Sequence, residues 1–350
     1  MHKGVAFALL AAALFGASTP FAKALLAHVQ PLMLAGLLYL GSGIGLSVFY
    51  ALRALVRRAR RETSAGLVRA DLPWLAGAIA AGGVAGPVLL LVGLAVTPAS
   101  SASLLLNMEG VLTSMLAWFV FKENFDRRIF IGMLLIVLAG GLLSWDQIPV
   151  LGVPWGALAI VGACLCWGVD NNLTRKVSAS DAVQIAAIKG LAAGVVNLAL
   201  ALALGLRLPS LPAMLGAGAV GLAGYGVSLV MFVLALRHLG TARTGAYFSA
   251  APFVGAALSL LLLHEAPGLV FWLAGALMGA GIWLHLSETH AHEHEHAPLA
   301  HTHAHTHDEH HQHSHDADWD GTSPHVHAHE HAPLKHAHRH YPDIHHRHEH

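Results

Sequence analysis

From residue 4 to residue 286 the chain is a succession of long apolar stretches separated by short polar connections. A helix needs about 20 mostly apolar residues to cross the hydrocarbon of a bilayer. On that window ten spans are predicted, at residues 4–27, 31–52, 73–95, 100–121, 128–145, 153–173, 182–205, 211–236, 242–263 and 268–286. In lipid every backbone polar group has to be satisfied within the protein, which makes the spans helical. The predicted fold class is therefore an all-α integral membrane protein, multi-pass in the cell (inner) membrane, with ten transmembrane helices. At residue 288 the apolar pattern stops and a polar tail begins.

Composition supports this reading and adds sidedness. Hydrophobic residues make up 55% of the chain and charged residues 11%, with a mean hydropathy of +0.57, a balance foreign to soluble proteins. The formal net charge of zero hides an asymmetry: 17 basic residues stand against 9 acidic up to Ser287, and 3 against 11 from Glu288 onward. One longer connection, residues 53–71, carries Arg53, Arg57, Arg58, Arg60, Arg61 and Arg69. The positive-inside rule puts it in the cytoplasm, and with ten spans both termini are cytoplasmic. Lys3, Lys122, Arg127, Arg128, Arg175, Lys176, Arg237 and Arg243 then fall inside as well, so 14 of the 17 basic residues share one face. Met1-His2-Lys3 followed by an apolar run and Gly16-Ala17-Ser18 has the look of a cleaved signal peptide. The internal repeat argues instead that this segment is retained.

The two halves of the apolar region resemble each other. Gly4 to Lys23 aligns with Gly156 to Arg175 at an offset of 152 residues, pairing Phe15-Gly16 with Trp167-Gly168 and Lys23 with Arg175. A second stretch aligns at an offset of 142, pairing Leu94 with Leu236 and Glu123 with Glu265. Each half holds five spans, and an odd number makes the second copy enter the membrane from the opposite face. That is an inverted repeat, with a substrate site expected near the midplane between the halves. The expected domains are residues 1–147, residues 152–287 and a tail at 288–350.

The run Leu104-Leu105-Leu106-Asn107-Met108-Glu109-Gly110-Val111-Leu112-Thr113-Ser114-Met115-Leu116-Ala117-Trp118, closing with Glu123 and followed by Gly132 and Gly140-Gly141, resembles the EamA family of the drug/metabolite transporter superfamily. Trp167-Gly168-Val169-Asp170-Asn171-Asn172-Leu173-Thr174-Arg175-Lys176 is similar to the start of that family's second repeat. The resemblance covers residues 4–286 and implies ten transmembrane helices and export of small metabolites, often in exchange for protons. In one respect the chain departs from the family pattern: Gly110 stands where the family usually has proline.

Among the residues that could carry transport, Glu109 is foremost, because an ionisable group near the middle of a span costs about 2.5–3.5 kcal/mol on insertion scales. There it can exchange a proton or bind a cation, or it can serve as a structural carboxyl bonded to Asn107 or to a backbone group at Gly110. Asp170, Asn171 and Asn172 form a polar cluster that either lines a cavity or lets Asp170 pair with Arg175 or Lys176. Lys189 is deep and needs a partner, which Glu109 or Asp170 could supply. Lys23 is placed to snorkel to the headgroups. Glu123 and Glu265 are read as caps of the helices that follow them. Cys164 and Cys166, two apart on a helix, point to nearly opposite faces and are read as packing residues.

The tail carries 23 histidines between His290 and His350. Alternating runs include His290, His292, His294 and His296, then His301, His303, His305 and His307, and later His325, His327, His329 and His331. With few apolar residues it is expected to be disordered without metal. Imidazole with a pKa of about 6.5 is largely neutral near pH 7 and free to ligate Ni, Co, Zn or Cu. No cofactor is required by anything in the sequence, and no catalytic constellation points to an enzyme. The expected function is a proton-coupled secondary transporter of a small metabolite or cation, with lipid and substrate as partners and no nucleic acid. Divalent metal efflux is the alternative reading, and a membrane-anchored metal store or sensor a second one.

Overall fold

The computed structural model describes residues 2–60, 67, 69–121, 127–145, 154–177 and 180–286, together with four stretches of the tail. Its helices are α1 (His2–Leu25), α2 (Pro31–Arg60), α3 (Leu72–Ala78), α4 (Gly86–Val96), α5 (Ala99–Leu105), α6 (Met108–Phe121), α7 (Arg127–Trp145), α8 (Trp155–Val177), α9 (Ala182–Ala203), α10 (Leu211–Gly221), α11 (Ser228–Phe248), α12 (Ala251–Leu262) and α13 (Leu269–Leu286). Short π-helical segments, Ile79–Ala85 and Leu222–Val227, join α3 to α4 and α10 to α11. Six of the resulting helices are long and apolar enough to cross a membrane: Lys3–Leu25, Pro31–Leu55, Arg69–Val96, Trp155–Thr174, Ala182–Ala203 and Leu211–Ala235. The apolar helices Phe130–Ser144, Ala251–Leu262 and Leu269–Leu284 are shorter.

The fourth and ninth spans are not continuous helices, contrary to what hydropathy predicts. The fourth breaks at Leu106–Asn107 between α5 and α6, and the ninth breaks at Ser249–Ala250 before α12. These breaks correspond to within one residue at the 142-residue offset, as do the two π-helical segments. Discontinuous helices at matched positions of two halves are what places binding groups at the midplane of inverted-repeat transporters. The eighth and ninth spans are likewise separate, although α11 is assigned as helix throughout. Sixteen residues of straight helix would hold Phe232 and Phe248 about 24 Å apart. Their ring centroids lie 4.8 Å apart, so the chain reverses between them.

Among the contacts between the halves, two lie close to the symmetry axis. The second and seventh spans, α2 and α9, cross so closely that a Cβ on Gly190 would meet the backbone nitrogen and Cα of Gly43. Without a hydrophobic drive in lipid, such close backbone approach gives helices their packing energy. Phe15 and Trp167, equivalent in the repeat, meet edge to face at 5.8 Å, so the pseudo-symmetry axis runs between them. Tyr225 joins this cluster at 6.1 Å from Phe15, and the Tyr39 ring lies tilted against Tyr225 at 5.2 Å. Cys164 is buried against Leu105 with its Sγ 3.8 Å from that carbonyl, in keeping with a packing role.

In the tail, the strands β1 (His290–His296), β2 (Leu299–His305), β3 (His325–His331) and β4 (Leu334–His340) pair antiparallel, β1 with β4 and β2 with β3. The sequence expectation there is disorder. Alternation of histidine with alanine, glutamate and threonine has the period of a strand, which suits it to a ladder once two such runs meet. The register puts His290 opposite His340, His292 opposite His338, His301 opposite His329 and His303 opposite His327. His307 and the side chains of all the tail histidines lie outside the described residues.

Candidate functional site

At the centre of the bundle α6 brings Glu109 against α8. Asn171 donates from its Nδ2 to Glu109 Oε1 at 2.7 Å. The sequence offers Asn107 or the Gly110 backbone as partners for this carboxylate, and the structure corrects both. Asn107 sits at the break between α5 and α6, where its amide donates to the Leu104 carbonyl at 2.9 Å and lies 3.6 Å from Met278 Sδ. A residue at a helix break turns its side chain back to satisfy the carbonyls that the break orphans.

One residue away on α8, Asp170 points to a different neighbour. Lys189 Nζ of α9 donates to Asp170 Oδ1 at 2.5 Å, and Thr174 Oγ1 donates to the same oxygen at 2.8 Å. Lys189 also reaches Thr174 Oγ1 at 3.0 Å. Asp170 and Lys189 are 7% and 5% exposed, so this is a buried ion pair with its remaining lone pairs partly satisfied. Of the two partners that the sequence offers Lys189, it takes Asp170. Lys176, the other partner named for Asp170 in the sequence, lies over the Trp74 ring at 5.9 Å, and the Arg175 side chain lies outside the described residues. Room for Asp170 comes from Gly82, where a Cβ would collide with the Asp170 carboxylate.

The π-helical turn that contains Gly82 is itself part of the site's framework. A π-helical turn leaves carbonyls without their usual partners, and three side chains take them. Tyr39 Oη donates to Gly82 O at 2.8 Å, Trp167 Nε1 to the same oxygen at 3.1 Å, and Asn197 Nδ2 to Gly83 O at 3.0 Å. None of these three residues stands out in the sequence, because their acceptors are backbone atoms freed only by the bulge.

Asn171 is exposed, and its direction shows to what. Trp155, Leu158, Leu165 and Lys176 are the other strongly exposed residues of α8, and at 100° per residue they fall on one side of the helix. Asn171 lies about 120° from Leu165 on the helical wheel, away from that lipid-facing row. A Cβ at Gly110, beside Glu109, would meet nothing within 4 Å. The Glu109–Asn171 pair thus lies on the side of α8 turned away from the lipid-facing row, beside an uncrowded stretch of α6.

At the membrane face opposite the amino terminus, two further charges are engaged with helix ends. Lys23 does not snorkel to headgroups: its Nζ donates to the carbonyls of Leu94 at 2.6 Å, Ala95 at 3.1 Å and Thr97 at 2.9 Å, at the end of α4. Glu265 accepts from the backbone amides of Ala99 at 2.7 Å and Ser100 at 2.9 Å, at the start of α5. It is a cap, as expected, but of a helix in the other half and not of α13, which follows it. Glu123 lies outside the described residues. Among the described residues no group of three or more His, Cys, Asp or Glu side chains could hold a metal ion.

Comparison with known proteins agrees with this architecture. An uncharacterized transporter of Methanothermobacter thermautotrophicus is 28% identical over 286 residues, which cover 77% of this chain and 82% of the relative. The uncharacterized inner membrane transporter YedA of Escherichia coli K12 is 28% identical over 261 residues, 70% of this chain and 78% of that protein. A solved crystal structure shares the fold with a TM-score of 0.59 at 18% identity, covering 80% of this chain and 95% of its own. The EamA-like transporter family model matches twice, at residues 2–145 and 154–287, once for each half. Ten helices in two inverted halves, broken at matched positions around a buried polar centre, and a double match to one family model lead to one conclusion: the chain is a membrane transporter of the EamA-like family.

Proposed function

We propose that this transporter exports a small metabolite or cation in exchange for protons, and that Glu109 is the group that carries the proton. The observation that supports this is the difference between the two central carboxylates. Asp170 is balanced by Lys189, whereas Glu109, one helix away, has only the Asn171 amide as its described partner. A carboxylate bonded to an exposed amide, with no cation among its described neighbours, has to gain a proton or a cationic substrate before it is closed off from water. Alternation between the two is an exchange mechanism. Asn107 and Asn171 would orient the substrate, and the Asp170–Lys189 pair would hold α8 and α9 in register around it. Export is tested in cells or vesicles with a panel of metabolites and metal salts, comparing wild type with Glu109→Gln.

Divalent metal efflux is the second reading, and the tail supports it. The backbone register of the paired strands sets histidine opposite histidine, and histidine is the commonest side-chain ligand of transition metals. The tail would then gather Ni, Co, Zn or Cu beside the transport domain. Deleting residues 288–350 should leave the membrane domain folded, and should slow export of a metal only when that metal is scarce. Calorimetry on the tail should show binding that weakens below about pH 6.5, where imidazole becomes protonated and stops ligating. A tail that binds no transition metal at micromolar concentration would contradict this reading. With both termini cytoplasmic, the tail would load from the cytosol. A reporter fused after residue 287 should therefore be active in its cytoplasmic form, and an external signal would place the tail on the other side.

A further inference from the structure

We propose that α5 is the gate of the membrane face opposite the amino terminus, pinned shut by Lys23 and Glu265 and hinged at Leu106–Asn107. The proposal rests on the transporter reading, and its geometry is independent of what is transported. All seven residues of α5 are buried, packed among α12, α1 and α8, so the segment fills the space between the two halves at this end of the bundle. The Glu109–Asn171 pair lies just beyond the break that ends α5, on the side away from that face.

What holds α5 in place is charge applied to both sides of one turn. Thr97-Pro98 joins α4 to α5; the Lys23 ammonium takes the carbonyls before the turn and the Glu265 carboxylate takes the amides after it. Each charge has the sign that the helix end beside it favours. Charge-assisted bonds are about twice as strong as neutral ones. Only Glu265 comes from the second half, so its release would let the halves part at this face.

What opposes closure is also visible. Thr97 Oγ1, Ser103 Oγ and Asn107 Oδ1 are buried without a hydrogen-bond partner among the described residues, and they account for three of the six such side-chain atoms in the whole described structure. All three lie along the turn, the gate helix and its hinge. A buried polar atom without a partner favours any state in which water reaches it. Closure is thus a balance between two ionic clamps and a strip of unsatisfied polar groups, which is the property a reversible gate needs.

The test uses the full-length protein in intact cells, with Cys164 and Cys166 replaced by alanine and a single cysteine introduced by Ser103→Cys. A membrane-impermeant thiol reagent applied from outside should label it slowly. Adding Lys23→Gln or Glu265→Gln should raise the rate about tenfold, the change expected when one charge-assisted bond is lost from a two-state equilibrium. Lys23→Arg should restore slow labelling. Two controls separate gating from damage: Leu204→Cys, exposed at the same face, should label equally in every background, and Ala201→Cys, fully buried away from α5, should stay unlabelled. An unchanged rate at Ser103→Cys in both clamp variants overturns the proposal, as does an equal rise at Ala201→Cys. Because the readout needs no substrate, either failure leaves the role of Glu109 standing.

Discussion

Replacing Glu109 by glutamine should reduce transport to background while leaving the protein folded and in the membrane. The amide keeps the volume of the side chain and can still bond to Asn171, whose Nδ2 donates at 2.7 Å, so packing around α6 and α8 is preserved. What it cannot do is change charge. If protons are exchanged at this position, coupling disappears with the titratable group, and the residual rate should no longer respond to pH. Size-exclusion behaviour in detergent and expression level should match wild type, and export by the same preparation should not. Wild-type export with unchanged pH dependence would make Glu109 a structural carboxyl.

The second large effect concerns stability. Removing one partner of a buried ion pair leaves the other charge unpaired in a medium that cannot solvate it, at a cost of about 3–5 kcal/mol. Lys189→Met should therefore destabilise the protein strongly, because among the described residues Asp170 would keep only the Thr174 hydroxyl. Asp170→Asn should do the same by stranding Lys189. The double variant should recover much of the loss, since neither charge is then buried alone. Thermal unfolding in detergent checks this, with apparent Tm ordered wild type, double variant, single variants. A double variant no more stable than the singles would show that the pair's environment, and not its charge balance, is what matters.

How much of this was legible in the sequence depends on what kind of partner each residue has. Ten spans, the inverted repeat and the special position of Glu109 follow from hydropathy, parity and one ionisable group in an apolar run. The partnership of Lys189 with Asp170 was one of two options that could be named, because a buried ammonium requires a carboxylate and few are available. By contrast, the breaks at Leu106–Asn107 and Ser249–Ala250 were invisible to a hydropathy window, which reads apolarity and not continuity. Lys23 was misread because its acceptors are backbone carbonyls at the end of α4, which have no signature in the side-chain pattern. Glu265 was recognised as a cap, yet its helix was wrongly assigned, since a carboxylate in a connection can reach across the fold to an amide 166 residues away as easily as to the next turn. Tyr39, Trp167 and Asn197 were missed for a related reason: they answer the π-helical turn at Gly82-Gly83, and clustered glycines reveal only that a helix can bend there.

Proton exchange at Glu109 is tested most directly by proton movement itself. Purified protein is reconstituted into vesicles loaded with a pH-sensitive dye, and each member of the substrate panel is added to one side. A transported compound should drive protons across the membrane in the opposite direction, an imposed pH gradient should drive the compound uphill, and a protonophore should abolish both. Uptake of a compound at a rate indifferent to the pH gradient, with no accompanying proton signal, would contradict it.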